Sequence, residues 1–202
     1  MRGIDPQELG RRIYPVLTSL VVPRPIAWVS TLSAAGVANI APHSFFTVAG
    51  VDPPVLSFTS VGTKDSLENV RATGEFVVHV VNRAMAHACN ATSTNFPPEL
   101  DEFEQVGLAT VASHSVAPPR LRDAPAAFEC RSVGERTFGS STVVFGEVVW
   151  AQVREDVLAE DGLADLHALD PVARAGREEW SALGDVFSLR RIPYDEWKAH
   201  EL

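Results

Sequence analysis

The 202-residue sequence holds only two cysteines, Cys89 and Cys130, and no CxxC pair. That excludes a disulfide framework and leaves two reduced thiols as the reading. It also lacks any run of 18 apolar residues free of charge, proline or turn signals, so no membrane partner is expected. The stretch from Met1 to Arg12 has no apolar segment of the signal-peptide kind, so a cytoplasmic setting follows as the expectation. Positive charge is scarce: 17 Lys and Arg stand against 26 Asp and Glu, a formal net charge of -9. Such a surface repels phosphate backbones, which excludes nucleic acid as a partner. A GxxxxGK[ST] loop, a GxGxxG fingerprint and a GxSxG elbow are all missing. No Rossmann-type dinucleotide unit is therefore expected.

Apolar residues make up 46% of the chain, enough for a sizeable core. The polar segment through residue 20 reads as one short helix with Pro15 badly placed in its middle. Residues 26–32, rich in β-branched and aromatic side chains, read as a strand. A loop at 33–36 returns the chain at 37–40, running on toward Ser44, Phe45 and Phe46. After a break at 52–54 come a strand at 55–60, a helix at 64–73 ended by Gly74, and an almost continuously apolar strand at 76–81. Asn82 is placed to cap a helix reaching 93, and 95–101 is loop-like. Residues 126–136 and 141–154 alternate as two strands, 161–182 reads as irregular with helical turns, and 185–191 as a last strand. About seven strands with a few short helices in irregular order predict a mainly β, antiparallel barrel rather than a doubly wound sheet.

Chemistry-bearing residues are densest between 24 and 66. The run Ser60-Val61-Gly62-Thr63-Lys64-Asp65-Ser66 leaves a strand, turns and enters a helix. Free N–H groups at a helix start, hydroxyls and one ammonium make a phosphate cradle. The same residues also fit a plain capped helix with a solvated lysine. His87 and Cys89 point to different faces of a helix and have no second ligand pair, so no metal site is expected. His114, His167 and His200 lie in polar stretches and read as surface residues.

Four blocks carry a resemblance: Pro23 to Thr31 (PRPIAWVST), Asn39 to Phe46 (NIAPHSFF), Asp52-Pro53-Pro54, and Thr63 to Val70 (TKDSLENV). Together they resemble the flavin reductase-like family of FMN-binding split β-barrels, in particular its flavoredoxin-related branch. The resemblance covers about residues 12–192 and implies one such domain over 1–202. It implies that Ser30, Thr31, Asn39, Ala41, Ser44 and Phe45 line a flavin ring and its chain. Ser60, Thr63, Lys64, Asp65 and Ser66 would then hold the phosphate of FMN, with Arg24 a further candidate for the same anion. His43 is either a proton donor or nicotinamide contact near the flavin, or a packing residue. No catalytic triad is needed, because hydride transfer to a flavin depends on geometry. The activity implied is reduction of flavin by NADH or NADPH in a homodimer, serving a partner oxygenase or redox protein. The alternative is an electron carrier holding FMN without notable nicotinamide activity. The sequence departs from the family at His79, where Asn is usual, at Ser66 for Thr, and in the RLGG-x-x-Y block. That block reads Arg174-Ala175-Gly176-Arg177-Glu178-Glu179-Trp180, which puts substrate choice in question.

Overall fold

The structure, a computed structural model, describes residues 1–199; His200 lies outside the described residues. Pro15 is accommodated by interrupting the N-terminal segment. Helix α1 (Pro6–Leu9), a 3-10 turn (Gly10–Arg12) and α2 (Ile13–Leu20) follow one another. Pro15 thus falls in the first turn of α2, where a missing N–H is cheapest.

Next come β1 (Arg24–Pro25), β2 (Ala27–Leu32), β3 (Ala38–His43), β4 (Phe46–Val51) and β5 (Pro54–Val61). Helix α3 (Asp65–Thr73) ends on Gly74 at φ 74°, the left-handed cap the sequence places there. β6 (Glu75–Val80) follows, and then a 3-10 turn (Arg83–Met85) that leads into α4 (Ala86–Ala91). The Asn82 side chain accepts from Met85 N–H at that turn, as its capping role requires. α5 (Glu102–Val106), β7 (Thr110–Val111) and β8 (Arg120–Leu121) complete the excursion before β9 (Ala126–Phe138) and β10 (Ser141–Val153). The tail holds α6 (Leu166–Leu169), β11 (Val172–Arg174), β12 (Trp180–Ala182) and α7 (Tyr194–Ala199).

Seven strands make one antiparallel sheet in the order β3-β2-β6-β9-β10-β5-β4. Its two outermost members, β3 and β4, are consecutive in the chain, with only Ser44 and Phe45 between them. The sheet therefore wraps until its ends meet. β3 packs against β5, and the Phe45 carbonyl accepts from Thr59 N–H at 2.9 Å. Among the described residues no ladder joins β3 to β4, so the barrel stays split at that seam. The expected single strand running to Phe46 is thus two strands turning a corner, because the chain there passes from one edge of the sheet to the other.

Inward-facing Ala27, Val29, Phe58, Phe76, Val78 and Val144 fill the barrel. Gly146 on β10 is required by this packing: a Cβ there would sit 2.2 Å from the Phe76 ring. A second core beneath the excursion gathers Trp28, Ile40, Cys89, Phe103 and Leu121.

Two tail expectations are corrected. Residues 185–191 form no strand; Val186, Phe187 and Leu189 are exposed, and the segment finds no partner edge. The 161–182 stretch is not merely irregular, since β1, β11 and β12 form a three-stranded sheet. Within its hairpin Arg177, the residue standing for a family glycine, sits at φ 52°. We expect Arg177→Gly to stabilise the fold by about 0.5–1 kcal/mol, read as a shift in the denaturant midpoint, because a side chain is disfavoured at positive φ. A loss of stability would show that the Arg177 side chain contributes more than its backbone costs.

Candidate functional site

Three clefts meet around Pro42, beside the seam. The first, of about 200 Å³, lies between β3, the start of α3, the 92–96 loop and α5. The second, about 150 Å³, lies between Tyr14 of α2 and the Ser44–Phe45 corner. The third, about 200 Å³, opens toward Arg174 and Trp180. Each alone is smaller than the ~300 Å³ usual for a ligand site, but they adjoin through Pro42 and its neighbours.

Nine of the residues singled out in sequence line the first two clefts: Asn39, Ala41, His43, Ser44 and Phe45 on one side, and Thr63, Lys64, Asp65 and Ser66 on the other. They meet because the seam brings β3 beside the β5–α3 turn. Helix α3 starts at Asp65 with no side chain capping it. Leu67 and Glu68 N–H already donate to the Lys64 carbonyl, which leaves the N–H groups of Asp65 and Ser66 without a backbone acceptor. Lys64 and Thr63 are exposed beside them.

Ser30, Thr31 and Ser60 are not brought to the clefts. Ser30 is buried and donates to the Pro119 carbonyl at 2.7 Å. The Ser60 hydroxyl donates to the Gly62 carbonyl at 2.8 Å, shaping the turn into α3. Thr31 is buried, donating to Asn39 Oδ1 (3.3 Å) and accepting from Asn69 Nδ2 (3.0 Å). Arg24 lies outside the cleft lining. Its guanidinium donates to the carbonyls of Thr18, Val21 and Ala175, which tie α2 to the β11–β12 hairpin.

Sequence reasoning missed Glu102. It is only 4% exposed and lines the first cleft. Its carboxylate accepts from Asn39 Nδ2 at 2.8 Å and from Ile40 N–H at 3.2 Å. Asn39 Oδ1 in turn accepts from Ser66 Oγ at 3.1 Å, so Glu102 fixes which way the Asn39 amide faces. Burial is the first cause holding the Glu102 carboxyl above the usual carboxylate range. The Asp101-Glu102-Phe103 start of a short helix gives no sign in sequence that the acid points inward.

His43 is buried, with Nδ1 3.3 Å from the Thr59 carbonyl and its ring 4.7 Å from that of Phe58. A carbonyl only accepts, so Nδ1 carries the proton. Nε2 is buried without a partner. Desolvation pulls the His43 pKa down to about 4, so the ring is neutral at neutral pH. His79 is also fully buried; its Nδ1 donates to the Trp28 carbonyl (2.9 Å) and its Nε2 accepts from Leu121 N–H (3.0 Å). His87 is exposed and Cys89 buried, on opposite faces of their helix as expected, and His114 and His167 are exposed.

An uncapped helix start with an adjacent ammonium, set at one end of a cleft under a split barrel, coincides with a family match: residues 19–169 fit the flavin reductase like domain. The chain belongs to the flavin reductase-like family. An uncharacterized protein of Deinococcus radiodurans is 39% identical to this flavin reductase-like protein over 197 residues, covering 92% of this chain and 87% of the relative. Nitrilotriacetate monooxygenase component B of Bacillus cereus is 30% identical, with a TM-score of 0.90 over 94% of this chain and 98% of that one. The 2-nitrobenzoate 2-nitroreductase of Pseudomonas fluorescens is also 30% identical, with a TM-score of 0.88 over 96% and 98%. Among the described residues no helix is long and apolar enough to cross a membrane.

Proposed function

We propose that this protein binds FMN and uses NADH or NADPH to reduce flavin, as a homodimer serving a partner oxygenase or redox protein. The observation that carries this reading is an anion cradle that shares its clefts with a few apolar and aromatic side chains. Lys64, Thr63 and the free N–H groups of Asp65 and Ser66 share the first cleft with Ala41 and Pro42, and Lys64 and Pro42 also line the second, beside Phe45. The donor set fits a phosphate, and Pro42 and Phe45 offer apolar surface to a ring. When bound, FMN supplies the electron-storing chemistry.

The chain's own residues then bind, orient and exclude water. Lys64 neutralises the phosphate against a chain of net charge -9. Asn39, held by Glu102, presents a fixed amide to the first cleft. We assign Ser30, Thr31 and Ser60 to shaping the walls, and His43, neutral and packed on Phe58, to packing rather than proton donation. Likeness to a monooxygenase component B supports the oxygenase as partner. α2 exposes apolar Tyr14, Leu17 and Leu20, and Tyr14 lines the second cleft, which supports a two-fold partner covering that side. We read residues 1–202 as one working domain, and its two free, buried cysteines support a reducing, cytoplasmic setting.

The test is an anaerobic titration of the FMN-loaded protein, followed by its visible spectrum. Flavin bands that bleach on adding NADH or NADPH are the expected result. Bands that yield only to dithionite would mark an electron carrier, and a protein that takes up no flavin would end the proposal. Lys64→Ala is expected to weaken FMN about 10- to 100-fold, the loss of one charge-assisted contact, and riboflavin less than threefold. Equal losses for the two ligands, measured by fluorescence quenching, would remove Lys64 from the phosphate.

A further inference from the structure

The third cleft holds an arginine that the fold leaves without a counter-charge. Arg174 on β11 pairs directly across from Arg24 on β1, two guanidinium side chains facing each other across an antiparallel ladder. Like charges so placed repel. Arg24 is satisfied by carbonyl oxygens of Thr18, Val21 and Ala175. Arg174 makes one hydrogen bond to protein, from Nη2 to the Arg177 carbonyl at 2.9 Å. Among the described residues no carboxylate comes within ion-pair distance of either arginine. In a chain with an excess of acidic residues, such a pair is a local positive site kept free of acid.

The hairpin holds Arg174 in place from both sides. Its guanidinium carbon lies 5.3 Å from the centre of the Trp180 ring, a cation–π contact across the β11–β12 pair. The left-handed turn at Arg177 supplies the carbonyl that Arg174 binds. Gly176 packs tightly on α2, where a Cβ would come within 3.2 Å of Ser19. The hairpin is therefore docked, and both side chains remain half-buried on the cleft wall with Ile26, Pro42 and Ser44.

We infer that the Arg174–Trp180 cleft is a subsite for a planar aromatic co-substrate bearing an anionic group, placed next to the flavin slot. The indole and the apolar walls of Ile26 and Pro42 suit a ring, and the remaining N–H groups of the guanidinium suit carboxylate or phosphate oxygens. The cleft, about 200 Å³, is the size for one substituted six-membered ring, since a cavity of ~150 Å³ takes up benzene. Pro42 and Ser44 belong to both this cleft and the second one, so a ring here adjoins whatever occupies the slot. This inference rests on the proposed flavin site for its meaning, but not for its measurement.

Two ligands share this chemistry, a nicotinamide dinucleotide and an aromatic carboxylate. Calorimetric titration of the FMN-loaded protein with NAD⁺, NADP⁺ and benzoate, on wild type and Arg174→Met, separates them. We expect at least a tenfold weaker affinity in R174M for one of these classes, while its FMN affinity stays within threefold of wild type. Loss confined to the dinucleotides makes the subsite that of the electron donor, and loss confined to benzoate makes it that of an acceptor. Should R174M fail to fold, Arg174→Lys carries the test; it keeps the charge without the fork, and at least a threefold loss is expected. Unchanged affinity for all three ligands in a variant that still binds FMN would overturn the inference. If the protein takes no FMN, the flavin reading fails, and the same comparison on the flavin-free protein still decides this one.

Discussion

Between pH 6.5 and about 4 the protein is expected to lose stability steeply, because His43 and His79 are both buried in the neutral form. Desolvation is the first cause for each, and each pKa falls from 6.5 to about 4. In that window the unfolded chain binds more protons than the folded one. Stability is therefore full above pH 6.5 and declines as pH falls toward 4, by up to about 1.4 kcal/mol per pH unit and about 3 kcal/mol in total for each ring. His79 has a geometric reason as well: a second N–H on Nε2 would face the Leu121 N–H that now donates to it. Glu102, whose carboxyl is held above its usual range, works in the opposite sense over the lower part of the window. The difference between wild type and His79→Asn, in urea midpoints from pH 7.5 to 4.5, isolates one ring. A difference that stays constant with pH would mean that His79 takes up its proton as readily in the folded chain as in the unfolded one.

Gly146→Ala is expected to cost about 3 kcal/mol, near the upper end of what overpacking a core does. The added methyl would come 2.2 Å from Cζ and 2.6 Å from Cε1 of Phe76, and 3.0 Å from Cys130 Cβ. Phe76 has no room to yield: it is fully buried and makes an edge-on contact with Phe58 at 5.3 Å. For a chain of this length a loss of that size lowers Tm by roughly 6–12 °C. Phe76→Leu in the G146A background should recover part of the loss, since the two changes act on one contact. A G146A melting curve that overlays wild type would show that the sheet can open at the β9–β10 irregularity beside Gly146.

Much of this was legible in the chain. The apolar runs at 26–32, 55–60 and 76–81 are strands because both faces of those segments are covered, and Gly74 ends α3 because the chain must turn left-handed there. Most of the cradle was readable because Thr63, Lys64, Asp65 and Ser66 are contiguous. What could not be read depends on distant partners. Residues 185–191, with Val186, Phe187 and Leu189, read as a strand, but pairing needs a free edge, and none reaches them. Ser30 and Thr31 lie in a strongly marked block, yet their hydroxyls face Pro119 and Asn69, residues 89 and 38 positions away. Glu102 is brought beneath Asn39 across 63 positions, a contact that no local pattern announces.

On the proposed binding, the seam between β3 and β4 would couple the barrel's closure to the site's occupancy. Asn39, Pro42 and His43 stand on one side of that seam, and Lys64 and Ser66 on the continuation of β5 on the other. On the proposed binding, a molecule lodged between them would tie β3 to the β5–α3 turn beside that seam. Its binding energy then adds to the strength of the seam, by RT ln(1 + [L]/Kd), and amide exchange along β3 and β4 should slow on loading before it slows anywhere in β6 or β9.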